Sequence, residues 1–185
     1  MKNHYGSPQG LVDAIFAFRM APLNARRNAL IAAYDGRGRA ADPYALAEAF
    51  VLPLAELTDE LRAGPDGGSW YLRFCVQAAY TVHPEVATPG PDDIGRSPWT
   101  TGLKELTDRA LALAGEAQPR WVAWRRWEHF AAFATHSLAE RELRLDLDPA
   151  YKAGTTALYV ADLVDVGAAI LTAAPRPSTL ALGER

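Results

Sequence analysis

His129 and His136 are the side chains whose type suits proton transfer, since an imidazole titrates near neutral pH. At about 100° per residue on a helix they share a face with Phe133 and Glu140, with Arg125 and Val122 beside it. Their separation is roughly two turns, about 10.5 Å of rise. Zinc bonds imidazole nitrogen at about 2 Å, so the two do not readily chelate one ion, and no metal site is expected from them. His136 with Glu140, four positions on, has chelating spacing, but that pair is common by chance. A face that mixes rings with titratable groups suits a pocket or an oligomer interface, and either competes with acid–base catalysis as its purpose.

Three other groups invite chemistry. Asp162 and Asp165 fall on one helix face, where paired carboxylates share a proton or bind a cation, or simply meet a neighbouring helix or water. Cys75 stands between Phe74 and Val76, which suits a buried small residue better than a nucleophile. Gly36-Arg37-Gly38-Arg39-Ala40-Ala41 has the letters of a nucleotide loop, but no strand precedes it, so it reads as a helix–helix connection. No GxSxG, HExxH, CxxC or P-loop pattern occurs. Trp70, Trp99, Trp121, Trp124 and Trp127 exceed what a core of this size requires; they pack the core or line a cavity for a flat apolar ligand.

The elements that must position these residues are helical. Leu11, Ile15, Phe18 and Pro22 step along one face of a first helix, capped by Ser7 with Pro8 at its first position. Pro22 is expected to kink or end it, with 25–34 as a second segment. Asp42 and Pro43 open the next helix, striped by Ala47, Phe50, Leu54, Leu57 and Leu61 and kinked at Pro53. A Gly/Pro loop at 64–68 precedes a helix over 70–82, with Arg73, Gln77 and Tyr80 on one side. The stretch 84–98 is an irregular excursion, and Trp99, Leu103, Leu106, Ala110 and Leu113 mark another helix. The longest apolar stretches, 121–143 and 155–174, come last. On the first, Trp124, Trp127, Ala131, Ala134 and Leu138 form an apolar face opposite the histidines, so it has two faces to cover. Nothing alternates with period two, which predicts an all-α chain of about six to seven helices.

Composition agrees with a single compact unit. The chain has 185 residues, 22% charged and 49% hydrophobic, with a net charge of −3 that argues against a bare nucleic-acid binder. One cysteine excludes an internal disulfide framework and fits a reducing compartment. No apolar run approaches the ~20 residues of a membrane span, and the start carries no secretion signal, so a cytoplasmic location is expected.

The order of motifs resembles the TetR family of transcriptional regulators. Asn3-His4-Tyr5-Gly6-Ser7-Pro8-Gln9-Gly10-Leu11 is similar to the family segment that closes the DNA-recognition helix and opens the next one. The similarity continues through Phe18-Arg19, Pro22-Leu23-Asn24-Ala25-Arg26-Arg27, Ala49-Phe50-Val51-Leu52-Pro53-Leu54 and Tyr71-Leu72-Arg73-Phe74. It closes with Leu138-Ala139-Glu140, Asp162-Leu163-Val164-Asp165 and Leu171-Thr172-Ala173-Ala174-Pro175. The resemblance implies that 1–6 are the remnant of a recognition helix and turn. It implies a ligand-binding and dimerisation domain over 7–174, and 175–185 read as a loose tail. The last two long helices would pair across a twofold axis as a four-helix bundle.

It further implies a small apolar or aromatic ligand, no cofactor, and a pocket lined by Trp70, Phe74, Gln77, Trp99, Arg125, His129, Phe133 and His136. Specific DNA binding is not expected, because the base-reading residues of a helix-turn-helix are missing and two phosphate-contacting family positions are Asn3 and Pro8. An alternative is a TetR-like body repurposed as a cofactor-independent enzyme, a cyclase, isomerase or dehydratase, with His129 or His136 as acid–base. A third is a dimerisation partner that titrates a full-length relative.

Overall fold

The computed structural model describes residues 7–65, 67–81, 90, 94–95, 101–115, 118–148, 151 and 155–183. Among them the chain is all helical: α1 Pro8–Asp35, α2 Pro43–Ala63, α3 Tyr71–Thr81, α4 Lys104–Leu113, α5 Arg120–Leu147, α6 Thr156–Thr172 and α7 Pro177–Gly183. A 3-10 turn, Thr101–Leu103, leads into α4. The expected recognition-helix remnant at 1–6 lies outside the described residues. So does the excursion at 84–98, apart from Gly90, Ile94 and Gly95.

The helix starts follow the capping signals. Ser7 Oγ accepts the Gly10 N–H at 3.1 Å, and the Asp42 carboxylate accepts that of Tyr44 at 2.9 Å, each with proline next in the chain. Thr155 Oγ1 does the same for α6, accepting from the Leu158 N–H at 3.2 Å.

Helix α1 corrects two expectations. It runs unbroken through Pro22, which lies on its exposed side. Its buried stripe is Val12, Phe16, Met20, Leu23, Arg27, Ile31 and Tyr34, one position away from the face through Leu11, Ile15 and Phe18. Phe18 is 72% exposed. The buried stripe keeps helical spacing on both sides of the proline, so packing against the core holds the two halves in register and outweighs one missing hydrogen bond.

Helix α2 sits at the centre. Ala47, Val51 and Ala55 are fully buried, and its burial spreads round the helix rather than along the single stripe expected. α1, α4, α5 and α6 all pack on it. α5 and α6 are antiparallel neighbours: Arg126 Nε donates to the Ala173 carbonyl at one end, and the Tyr159 hydroxyl donates to the Ser137 carbonyl farther along. Gly167 brings α6 close, since a Cβ there would run into the Phe130 ring and lie 3.4 Å from Ala47. The segment expected to be a loose tail instead forms α7. Its Gly183 passes against Trp121, where a Cβ would overlap the indole.

Candidate functional site

The α5 face carrying the histidines is turned outward. Arg125, His129, His136 and Glu140 are exposed, while Phe133 is partly buried against the core. The opposite face behaves as its composition requires, with Trp127, Ala134 and Leu138 buried and Trp124 and Ala131 packed beside them. Arg125 pairs with Glu128 at 3.3 Å. His136 Nδ1 lies 2.8 Å from the Ala132 carbonyl of the preceding turn, which fixes its ring toward its own helix. Asp162 and Asp165 are both exposed on α6. Among the described residues no three His, Cys, Asp or Glu side chains come close enough to hold a metal ion.

The α3 candidates also divide. Trp70 lies just before the helix, 67% exposed, with the Arg73 guanidinium 4.0 Å from its ring centroid. Phe74 points inward and packs against Phe16 at 5.6 Å between centroids. Gln77 is exposed. Trp99 lies outside the described residues, as does the side chain of Tyr80. Of the expected pocket residues the structure therefore turns Phe74 and Phe133 inward and Trp70, Gln77, Arg125, His129 and His136 outward.

α3 is fixed by an acid from another helix. Trp70, the residue before it, carries no side-chain oxygen to cap it. Instead Glu142 of α5, 2% exposed, accepts from the Ser69 hydroxyl and from the backbone N–H groups of Leu72, at 3.4 Å, and Arg73, at 3.2 Å. A carboxylate at a helix N-terminus satisfies orphan donors and meets the positive end of the helix dipole. Arg73 and Arg62 both pair with Asp146, the latter at 2.5 Å, and complete a bridge between α2, α3 and α5.

Held in this way, α3 presents Tyr71 and Cys75 to a charge in the interior. Arg27 on α1 is 2% exposed. Its Nη1 donates to Asn24 Oδ1 at 3.1 Å, and its guanidinium lies 5.5 Å from the Phe50 ring centroid. Its Nε–H, like those of Arg73 and Arg141, has no hydrogen-bond partner among the described residues. Among the described residues the groups that act on it electrostatically are Tyr71 and Cys75, and no carboxylate is among them. Burial lowers its pKa to about 10, which still leaves it cationic at neutral pH. Arg141, 5% exposed, differs: it reaches Asp59 at 3.4 Å and Thr156 Oγ1 at 2.8 Å.

The neighbours of Arg27 are held neutral. Burial pushes the Cys75 thiol up to about 12. Burial likewise raises the Tyr71 phenol, whose hydroxyl lies 3.8 Å from Met20 Sδ. A Cβ on Gly102 would overlap the Asn24 side chain, so the backbone of the 3-10 turn presses on the residue that holds Arg27. No motif in the sequence marks Arg27. The available signal was an arginine at i+4 from Leu23 and i−4 from Ile31, inside an otherwise apolar stripe.

Compared with protein-family models, curated proteins and solved structures, the chain matches none.

Proposed function

We propose that this chain is a small-molecule-binding domain that works as a homodimer, resembling the sensory part of TetR-family regulators. Its ligand is small and apolar or aromatic, and α5 and α6 pair with their twofold mates as a four-helix bundle. The outer surface of these two helices carries the reading. Trp121, Leu143 and Leu147 on α5, with Leu158 and Val166 on α6, are exposed large apolar side chains on adjacent helices. Together they supply the apolar centre that a helix-on-helix interface needs.

The same surface has complementary charge. Arg125 lies on α5, while Asp162 and Asp165 lie on α6, close in sequence to Ala161 and Ala169. Small side chains allow close helix approach, and opposite charges fix which helix faces which. A ligand held among α1, α2 and α3 would act by favouring one arrangement of the paired bundle over another. The enzyme alternative has no comparable support, since both histidines stand on the exposed face of α5.

Light scattering at micromolar concentration should return twice the chain mass of 20.1 kDa. Replacing Leu158 and Val166 together by Glu should return the single mass with helical content unchanged. A wild-type monomer across this range would overturn the dimer.

A further inference from the structure

We propose that Arg27 is the anchor for the carboxylate of a small apolar ligand taken up between α1, α2 and α3. The inference rests on the small-molecule reading above and specifies the charge of the molecule. A cation in an apolar interior without a counter-ion is costly, and proteins normally pair it. Arg141 has its acid, and Arg73 has two. Among the described residues Arg27 has the neutral amide of Asn24 and no acid.

The open part of the guanidinium determines what would fit. Asn24 takes an Nη1–H, and the Nε–H is free. The edge formed by Nε and Nη2 presents two parallel donors, the geometry that grips a planar carboxylate through both oxygens. Around it lie Phe50, Tyr71 and Cys75, one aromatic wall and two groups kept uncharged. Such surroundings suit a single negative charge on an apolar body better than a strongly hydrated dianion. Ligand binding would supply the missing charge and remove the cost of burying Arg27 alone, so the empty domain gives up stability for affinity.

Two substitutions separate this role from a structural one. Asn24→Asp places a carboxylate 3.1 Å from Arg27 with little change in volume. Arg27→Met removes the charge and retains an apolar side chain. Thermal unfolding of the full chain is followed with benzoate, with its neutral counterpart benzamide and with inorganic phosphate, all at one ionic strength.

The wild type should show a saturable rise with benzoate, about 5–10 °C at a hundredfold excess over Kd, and less with benzamide or phosphate. Without ligand, Asn24→Asp should melt about 2–5 °C above wild type, and both variants should lose the benzoate response. Equal responses to benzoate and benzamide would overturn the anchor and leave the small-molecule reading standing. A response to phosphate alone would overturn the apolar carboxylate. No response to any probe, with Asn24→Asp less stable than wild type, would overturn both readings.

Discussion

Cys75 shows how one residue's surroundings set its chemistry. Its thiol is raised to about 12 chiefly by burial, with a further push from Glu142. The thiolate is the reactive form, so at pH 8 alkylation by iodoacetamide should be about a thousandfold slower than for a free cysteine. Unfolding in urea should restore the ordinary rate, and mass spectrometry reads both. Glu142 has a different part, since three donors converge on it around the start of α3. Glu142→Ala would leave those buried donors without their acceptor and Arg73 with Asp146 alone, and should lower the unfolding free energy by about 3 kcal/mol. Glu142→Gln keeps the acceptor oxygen and should cost about half as much, read from urea midpoints. Neither residue's environment was legible in the sequence, because Glu142 meets α3 only through tertiary packing. Arg27 was partly legible: its position in the α1 stripe is a matter of counting, whereas the lack of an acid opposite it depends on what α2 and α3 present.

At the scale of elements, helices and caps were readable because they depend on neighbours in the chain. Ser7 and Asp42, the two starts marked by a capping residue followed by proline, both cap with their own side chains. What periodicity could not decide was which of two helical stripes in α1 faces inward, since both Leu11-Ile15-Phe18 and Val12-Phe16-Met20 have the spacing. α2 decides it, because only the second stripe continues past Pro22 to Leu23 and Ile31. Gly167 gives the same lesson for α6. Alanine is worth about 1 kcal/mol more than glycine inside a helix, but here its methyl would enter the Phe130 ring, which is fully buried. Overpacking should win, and Gly167→Ala should lose about 1–2 kcal/mol net in chemical denaturation.

The join between α1 and α4 has a pH signature. Arg109 donates to both oxygens of Asp35, at 2.6 and 2.9 Å, and these bonds hold the carboxyl below its ordinary range. A depressed folded-state value adds stability above the unfolded pKa of about 4 and loses it as pH falls through the folded value. Asp35→Asn should therefore lower the urea midpoint slightly at pH 7 and not at all near pH 2.

The whole molecule is a helical body with two unequal surfaces. Most of its apolar side chains close around α2, yet α5 and α6 leave Trp121, Leu143, Leu147, Leu158 and Val166 exposed on the side away from it. Single exposed apolar residues need no explanation, but several on two adjacent antiparallel helices form a surface that association would bury. If folding and pairing are linked through that surface, stability depends on protein concentration, because dilution favours the unfolded chains. For a pair of chains of this length the melting temperature should rise by roughly 2 °C for each tenfold increase in concentration. Replacing Leu158 and Val166 by Glu should abolish that slope while the monomer still folds, because both side chains point away from α2 and take no part in its packing. A wild-type melting temperature that stays constant from 1 to 100 µM (about a hundredfold range, worth roughly 4 °C on this scale) would mean that the two faces are not joined at folding, and that the apolar surface of α5 and α6 serves some partner other than a second copy of the chain.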